Sequence, residues 1–337
     1  MSSVISTSSG MECALLAGDG DLEGLKTARL NGSIWDVTTC AAAALGGHLN
    51  VLKYARQSGC PWDATTCTAA ATGGHIDILV YAFENSCPRD SSLTLAASRE
   101  GHIHVLKFAR ENKVPFTVDT GVAAAKVGNL DVLKYVTEIC NVHNFLGSCE
   151  IWIAAIEGGH IECIKYGFKM GLSPSEYTLF DAITLGNVEC VKVLFECGYV
   201  WWSTDKVDMC NTAAVNGYLD CFKFLRSKGF IWDSSTCNAA ASNGHLACLE
   251  YACNEGCPRD DKTCTAAARG GHIECLKFLK DKSCFWNEET CAAAASGGHI
   301  AVLKWLIENG CPCDPVVSDA IDKVKPDHPA KKMKVEA

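Results

Sequence analysis

Apolar and polar positions along this chain follow one long repeat. Residues 62–88, WDATTCTAAATGGHIDILVYAFENSCP, show the unit: small apolar residues, a Gly-Gly-His hinge and then a second apolar stretch. A Gly followed by His or a substitute recurs eleven times, at spacings of 27 or 31 residues. These hinge residues are Asp21, His48, His75, His102, Asn129, His160, Asn187, Tyr218, His245, His272 and His299. Such a period predicts a repeat array in which each unit packs on its neighbours.

The pattern of each unit predicts two short helices. Residues 69–71 are all Ala, which favours a helix that Asp63 or Thr65 can cap and the glycines at 73–74 can end. Apolar residues between about 75 and 85 predict the second helix. Neither helix is long enough to be stable alone, so stacking must supply the burial. We therefore predict an all-α solenoid of helix–turn–helix repeats.

The unit resembles the ankyrin repeat. The matching positions are Thr65, Cys67, Ala70, Ala71, Gly74 and His75. Thr66 and Thr68 replace the Pro and the first His of the family signature, and the period is 27 residues where ankyrin repeats have about 33. The shortfall lies in the connector, so the resemblance, which covers roughly residues 11–313, implies ankyrin-like helix pairs without projecting β-hairpins.

The predicted organisation has three parts. Residues 1–10 are Ser-rich, and we expect a disordered tail. Residues 11–325 are expected to form a single solenoid of about eleven repeats, closed by a capping helix with Asp314 as N-cap and Pro315 at its first position. We expect residues 326–337 to form a disordered basic tail.

The 22 cysteines follow the repeat. Seventeen of them occupy three slots, which lie eight residues before the hinge residue, three after it and twelve after it. Other repeats carry Val in the second slot, so Cys there resembles a small apolar filler. The N-terminal stretch shows no secretory signal, and we expect reduced, buried thiols. Pairs such as His160 and Cys163 lack enough converging ligands for zinc, so we predict no metal and no cofactor.

The net charge of the chain limits the classes of partner that we expect. The net charge of −9 argues against binding to nucleic acid or anionic membranes, and no apolar run is long enough to cross a bilayer. A lysine column lies five residues after the hinge, but six of its lysines follow an acid by three residues, which predicts a neutralised outer face. We expect the cytoplasm as the compartment, with the nucleus as alternative because Lys331, Lys332 and Lys334 resemble a basic import signal.

An aromatic column lies fourteen residues after the hinge. It holds Trp35, Trp62, Phe116, Trp201, Trp232 and Trp286. Large aromatic side chains at the edge of a solenoid could anchor a partner, or they could cover the ends of the helices. The sequence leaves both interpretations open.

The family resemblance implies binding of a protein partner through the two positions before the hinge glycine and through the connectors. Bulk and charge at these positions concentrate in the centre of the chain. The candidate residues are Arg99, Glu100, Lys126, Val127, Thr184, Leu185, Trp201, Trp202 and Asp205. We predict a non-catalytic, monomeric scaffold or adaptor. The alternatives are a thiol- or metal-using protein and a purely structural spacer.

Overall fold

The computed structural model describes residues 5–139, 149–172, 174–175, 177–199 and 207–315. These residues hold 22 helices and no strand, which confirms the all-α prediction. The helices form eleven consecutive pairs, one pair for each hinge residue. We call the first helix of a pair the A helix and the second the B helix. None of the helices described is both long enough and apolar enough to span a lipid bilayer.

The chain divides into two compact units, where a single solenoid was expected. The first comprises Met1–Thr178 with Val193–Tyr199, and the second comprises Leu179–Lys192 with Val200–Ala337. The first holds α1 (Ile5–Gly18), α2 (Leu22–Leu30), α3 (Val37–Leu45), α4 (Leu49–Gln57), α5 (Ala64–Gly73), α6 (Ile76–Glu84), α7 (Ser92–Glu100), α8 (Ile103–Glu111), α9 (Val118–Val127), α10 (Leu130–Ile139), α11 (Cys149–Glu157) and α12 (Ile161–Lys169).

The second unit continues the same pattern. It holds α15 (Val207–Val215), α16 (Leu219–Ser227), α17 (Ser234–Ser242), α18 (Leu246–Asn254), α19 (Asp261–Gly270), α20 (Ile273–Asp281), α21 (Glu288–Ser296) and α22 (Ile300–Glu308). Residues of α13 (Thr178–Thr184) and α14 (Val188–Glu196) belong to both units. Within each unit the A helices pack mainly on the A helices of neighbouring repeats.

One predicted boundary was wrong at the N-terminus. Residues 5–10, which we assigned to a disordered tail, form the beginning of α1. Once a helical nucleus exists, each further residue adds a backbone hydrogen bond at little cost, so a Ser-rich segment can extend it. The predicted capping helix beyond residue 315 and the C-terminal tail lie outside the described residues.

Aspartates open many A helices, as predicted for Asp63. The Thr65 backbone N–H donates to the Asp63 carboxylate at 2.9 Å, and Asp36 and Asp233 accept equivalent bonds at the same distance. The carboxylate satisfies one of the amides that the first turn of a helix leaves unpaired. The six-residue connectors before these A helices can therefore start a helix without any β-hairpin.

We expect Asp63→Ala to lower the free energy of unfolding by about 1 kcal/mol, because the first turn of α5 loses its side-chain cap. Asp77→Ala is the matched control, since Asp77 lies exposed in the first turn of α6 without a capping bond. Urea denaturation of both variants measures the difference. Equal losses for the two would contradict a capping role for Asp63.

Five hinge histidines join neighbouring repeats. Each of the five precedes a B helix, and its Nε2 contacts a backbone carbonyl of the preceding repeat. The distances are 3.1 Å for His75 to Leu45, 2.9 Å for His102 to Thr72, 3.0 Å for His160 to Lys126, 3.1 Å for His272 to Ser242 and 3.0 Å for His299 to Arg269. Asn129 instead caps its own helix, accepting from the Val132 N–H at 3.0 Å.

The aromatic column packs within the array in the residues described. The Arg56 guanidinium lies 4.2 Å from the centre of the Trp62 ring, and Tyr81 of the next repeat meets that ring edge-on at 6.1 Å. The Lys53 ammonium lies 5.5 Å from the Tyr81 ring. Equivalent clusters surround Trp35 and Trp232. These stacked cations and rings staple adjacent B helices, so the packing interpretation holds for these tryptophans.

The lysine column is largely neutralised, as predicted. Five of the six expected pairs form within one turn of a B helix, at distances of 2.6–3.7 Å: Lys26–Glu23, Lys134–Asp131, Lys165–Glu162, Lys192–Glu189 and Lys277–Glu274. Lys223, the sixth, lies over the Tyr251 ring at 5.7 Å. Exposed pairs of this kind contribute little to stability, so the column is a solvated face.

The second-slot cysteines are buried fillers. Burial raises the pKa of Cys163, Cys190, Cys221, Cys248 and Cys275 to about 11, so these thiols stay protonated at neutral pH. The expectation that all thiols are reduced was wrong for one pair: Cys291 and Cys313 form a disulfide, with Cα atoms 5.4 Å apart. The sequence did not reveal it because Cys313 lies outside the three slots, yet the fold brings it within bonding range.

Candidate partner-binding groove

An open groove of about 610 Å³ lies between the A helices α7 and α9 of the first unit. Its walls are Leu95 and Arg99 from α7 and Asp119, Val122, Ala123, Lys126 and Val127 from α9. Leu95 and Arg99 are four residues apart, as are Val122 and Lys126, so each pair projects from one helix face. The groove therefore combines an apolar floor with charged rims.

The charges of the groove are not equally available. Lys126 Nζ lies 3.4 Å from Glu157 Oε2, so a carboxylate already partly neutralises it. Arg99 is exposed, and no side chain in the described part of the chain pairs with its guanidinium. An unpaired guanidinium can form a bidentate bond with a carboxylate. Arg99 is thus the cation that a ligand in this groove can use.

Leu95 and Val122 of the groove occupy a slot in which seven of the other nine repeats carry Ala, Thr or Asn, while Ile153 and Phe180 fill it in the remaining two. Seven residues before the hinge residue, the fourth and fifth repeats carry Leu95 and Val122. In three repeats of the second unit the same slot holds Asn211, Asn238 and Thr265. Asn211 Nδ2 donates to Ser235 Oγ at 2.7 Å, and Thr263 Oγ1 donates to Asn238 Oδ1 at 2.6 Å. In those repeats, hydrogen bonds to the neighbouring repeat satisfy the polar side chain in this slot. In the groove, Leu95 and Val122 instead present apolar surface.

Residues 238–319 match the family model described as ankyrin repeats (3 copies). The matched segment covers α18 to α22, and the eleven helix pairs share its Gly-His hinge or a substitute. No curated protein matches the sequence.

Solved structures are similar at low identity. The human ASB11 ankyrin repeat domain is 20% identical, covers 58% of this chain and 99% of that domain, and has a TM-score of 0.46. The maize pentatricopeptide repeat protein PPR10 is 12% identical over 93% of this chain and 55% of its own, with a TM-score of 0.40. Its complex with an 18-nt psaJ RNA element is 13% identical, covers 94% and 61%, and has a TM-score of 0.34. The prediction that this chain does not bind nucleic acid stays a prediction.

The packing of α7 on α9 brings three of the predicted site residues together. Arg99, Lys126 and Val127 line the groove, and Val127 is 45% exposed. Glu100 is exposed at the end of α7 but does not line the groove. Thr184 and Leu185 are exposed at the C-terminal end of α13, where Thr184 Oγ1 donates to the Phe180 carbonyl at 2.8 Å.

Other candidates cannot be placed in this way. Trp201, Trp202 and Asp205 lie outside the described residues, as do Lys331, Lys332 and Lys334 of the import signal. Their roles stay predictions.

Sequence reasoning missed Leu95, Asp119 and Val122. A signal for two of them existed, because Leu95 and Val122 are bulky residues in a slot that is Ala, Thr or Asn in seven of the other nine repeats. Asp119 carries no such signal, since an acid in the first turn of a helix is common for electrostatic reasons alone. No group of three His, Cys, Asp or Glu side chains within the described ranges is arranged to hold a metal ion.

Proposed function

We propose that this chain is a non-catalytic interaction scaffold that binds a protein partner through the groove between α7 and α9. Ankyrin repeats generally mediate protein–protein interaction, and their fold is typically non-catalytic. The observation that carries the proposal is the open groove in which apolar Leu95, Val122 and Val127 adjoin the unpaired guanidinium of Arg99. A repeat array offers such a surface on rigid helices, so binding costs little ordering of the scaffold.

The groove favours one kind of ligand segment. Burial of apolar surface supplies the non-directional part of the binding energy, and the guanidinium selects a carboxylate. A peptide segment with an acidic residue next to a Leu, Met or aromatic side chain provides both a carboxylate for the guanidinium and an apolar group for the apolar surface. The second unit presents Leu185, which is 45% exposed, and we propose Thr184 and Leu185 as a separate contact for a partner.

Charge reversal at Arg99 tests the proposal. A displayed random-peptide library is selected on the wild-type chain, and the enriched peptides are synthesised and their affinities measured. We expect acidic–apolar peptides, and we expect Arg99→Glu to weaken them roughly 30-fold, the size of an interface hot spot of about 2 kcal/mol.

Arg269→Glu is the matched control. Arg269 is an exposed arginine in the same slot of another repeat, but Thr265 replaces the apolar neighbour there. Its variant should bind the selected peptides as the wild type does. Enrichment of no peptide, or equal loss in both variants, would support the spacer alternative instead.

A further inference from the structure

The groove between α7 and α9 carries an exposed carboxylate as well as an exposed guanidinium. Asp119 lies in the first turn of α9, lines the groove and is exposed. Its carboxylate accepts a hydrogen bond from Thr117 Oγ1 at 3.4 Å, and no basic side chain in the described ranges forms an ion pair with it. A ligand can therefore use the Asp119 carboxylate as well as the Arg99 guanidinium.

Two contacts between the helices fix their register. Thr94 Oγ1 lies 3.4 Å from Thr120 Oγ1, and Ser98 Oγ donates to the Thr120 carbonyl at 2.5 Å. Thr120 therefore lies between Thr94 and Ser98 along the helix axis. Because Asp119 precedes Thr120 and Arg99 follows Ser98, the two charged residues lie at different levels of the groove. Their Cα atoms are separated along the axis by about one helical turn, or about 6 Å.

Apolar surface adjoins both charges. Leu95 and Val122 are partly exposed, and both line the groove together with Ala123. The groove thus presents a carboxylate, an apolar surface and a guanidinium within roughly one helical turn.

A helical ligand can meet these three features with one face. Residues i and i+4 of a helix are about 6 Å apart along its axis and project from the same side, as residue i+3 does. In an extended segment, residues i and i+2 are about 6–7 Å apart, but the side chain between them points away from the groove. The separation of the charges therefore favours a helix over an extended segment.

We propose that the groove binds a short amphipathic helix with an acidic and a basic residue four positions apart and an apolar residue on the same face. Arg99 binds the acidic residue, Asp119 binds the basic residue, and the apolar residue packs on Leu95 and Val122. Asp119 is then a specificity-determining residue, because it repels a ligand that carries a second acid at its level. This inference rests on the proposed function of the groove and specifies its ligand.

The second unit provides a comparison with the same charges but without the apolar side chain. Arg269 and Glu289 occupy the slots of Arg99 and Asp119, and both are exposed. Thr265 stands there in the slot of Leu95. Glu289→Gln is therefore the matched control for a substitution at Asp119.

Peptides that are selected on the wild-type chain and weakened by Arg99→Glu provide the test. We expect these peptides to carry Lys or Arg four residues from the acid. We expect Asp119→Asn to weaken them roughly fivefold, the upper range for an exposed ion pair. Glu289→Gln should leave their affinities unchanged.

Substitutions in the peptide separate attraction from repulsion. Replacing the basic residue by Ala should weaken binding roughly fivefold on the wild-type chain and not at all on Asp119→Asn, because the two groups form one pair. Moving the basic residue from i+4 to i+2 should cause the same loss, since position i+2 lies on another face of a helix. These two peptides, measured on the wild-type chain, decide the question if Asp119→Asn does not fold.

The outcomes distinguish this inference from the proposed function. Arg99-dependent peptides without a basic residue would overturn the inference alone, and so would tighter binding of every acidic peptide to Asp119→Asn. Equal affinity of the i+4 and i+2 peptides would exclude the helical ligand. Enrichment of no peptide would overturn the inference and the proposed function together.

Discussion

Gly47→Ala is expected to lower the free energy of unfolding by about 3 kcal/mol, of which about 1 comes from the backbone and about 2 from steric overlap. Gly47 has φ +80°, a left-handed conformation that a Cβ atom disfavours. A Cβ built there lies 2.6 Å from Cε1 and 2.9 Å from Nδ1 of His75, the hinge residue of the next repeat. That ring cannot move freely, because its Nε2 contacts the Leu45 carbonyl at 3.1 Å.

Gly59→Ala in the same repeat isolates the backbone contribution. Gly59 has φ +86°, but nothing lies within 4 Å of a Cβ atom built on it. We expect a loss of about 1 kcal/mol there. Urea denaturation gives the global difference, and hydrogen exchange of the α3–α6 amides shows whether it is local, as nearest-neighbour coupling requires. Equal losses at both glycines would show that the His75 ring does not clamp Gly47.

Phe222→Ala is expected to cost about 4 kcal/mol, the usual range for deleting a fully buried aromatic side chain. Phe222 is fully buried in α16. Its ring lies 5.6 Å from the Trp232 ring and 5.4 Å from the Tyr251 ring, both edge-on, so the substitution leaves a cavity and removes two aromatic contacts. Thermal and urea denaturation, with hydrogen exchange of α15–α18, measure the effect.

Phe222→Leu is the control for shape. Eight other repeats carry Leu in this slot, for example Leu249 and Leu276, so the backbone accepts it. We expect a loss of about 1 kcal/mol, since most of the volume remains. If Phe222→Ala cost no more than Phe222→Leu, the neighbouring rings would have closed over the site, and the aromatic cluster would not be the rigid staple that its geometry indicates.

The sequence predicted the local features of the fold. Asp63 caps α5 because a carboxylate two residues before a helical amide reaches it whatever the rest of the chain does. Gly74 ends the same helix at φ +75°, and the sequence alone marks it because glycine is the residue that adopts this conformation cheaply. The Lys–acid pairs of the B helices are equally local.

The sequence predicted only part of the candidate site. Arg99, Lys126 and Val127 were identified from their place before the hinge, and the structure lines one groove with them. Leu95 and Asp119 complete that groove from positions four residues before Arg99 and near the start of α9, and only the packing of α7 on α9 shows that they face it. The aromatic column was equally undecided until Tyr81 of the next repeat was seen to contact Trp62.

The sequence by itself determined the repeating helix pair, its caps and its hinge, because each depends on bonds and torsions within a few residues and recurs with the period. The tertiary structure decided which side chains from different helices touch. It paired Cys291 with Cys313, and it left Arg99 beside an apolar groove. Those outcomes depend on the distance between two helices and on their rotation about their axes. The packing of many side chains determines both quantities, and the sequence period does not encode them.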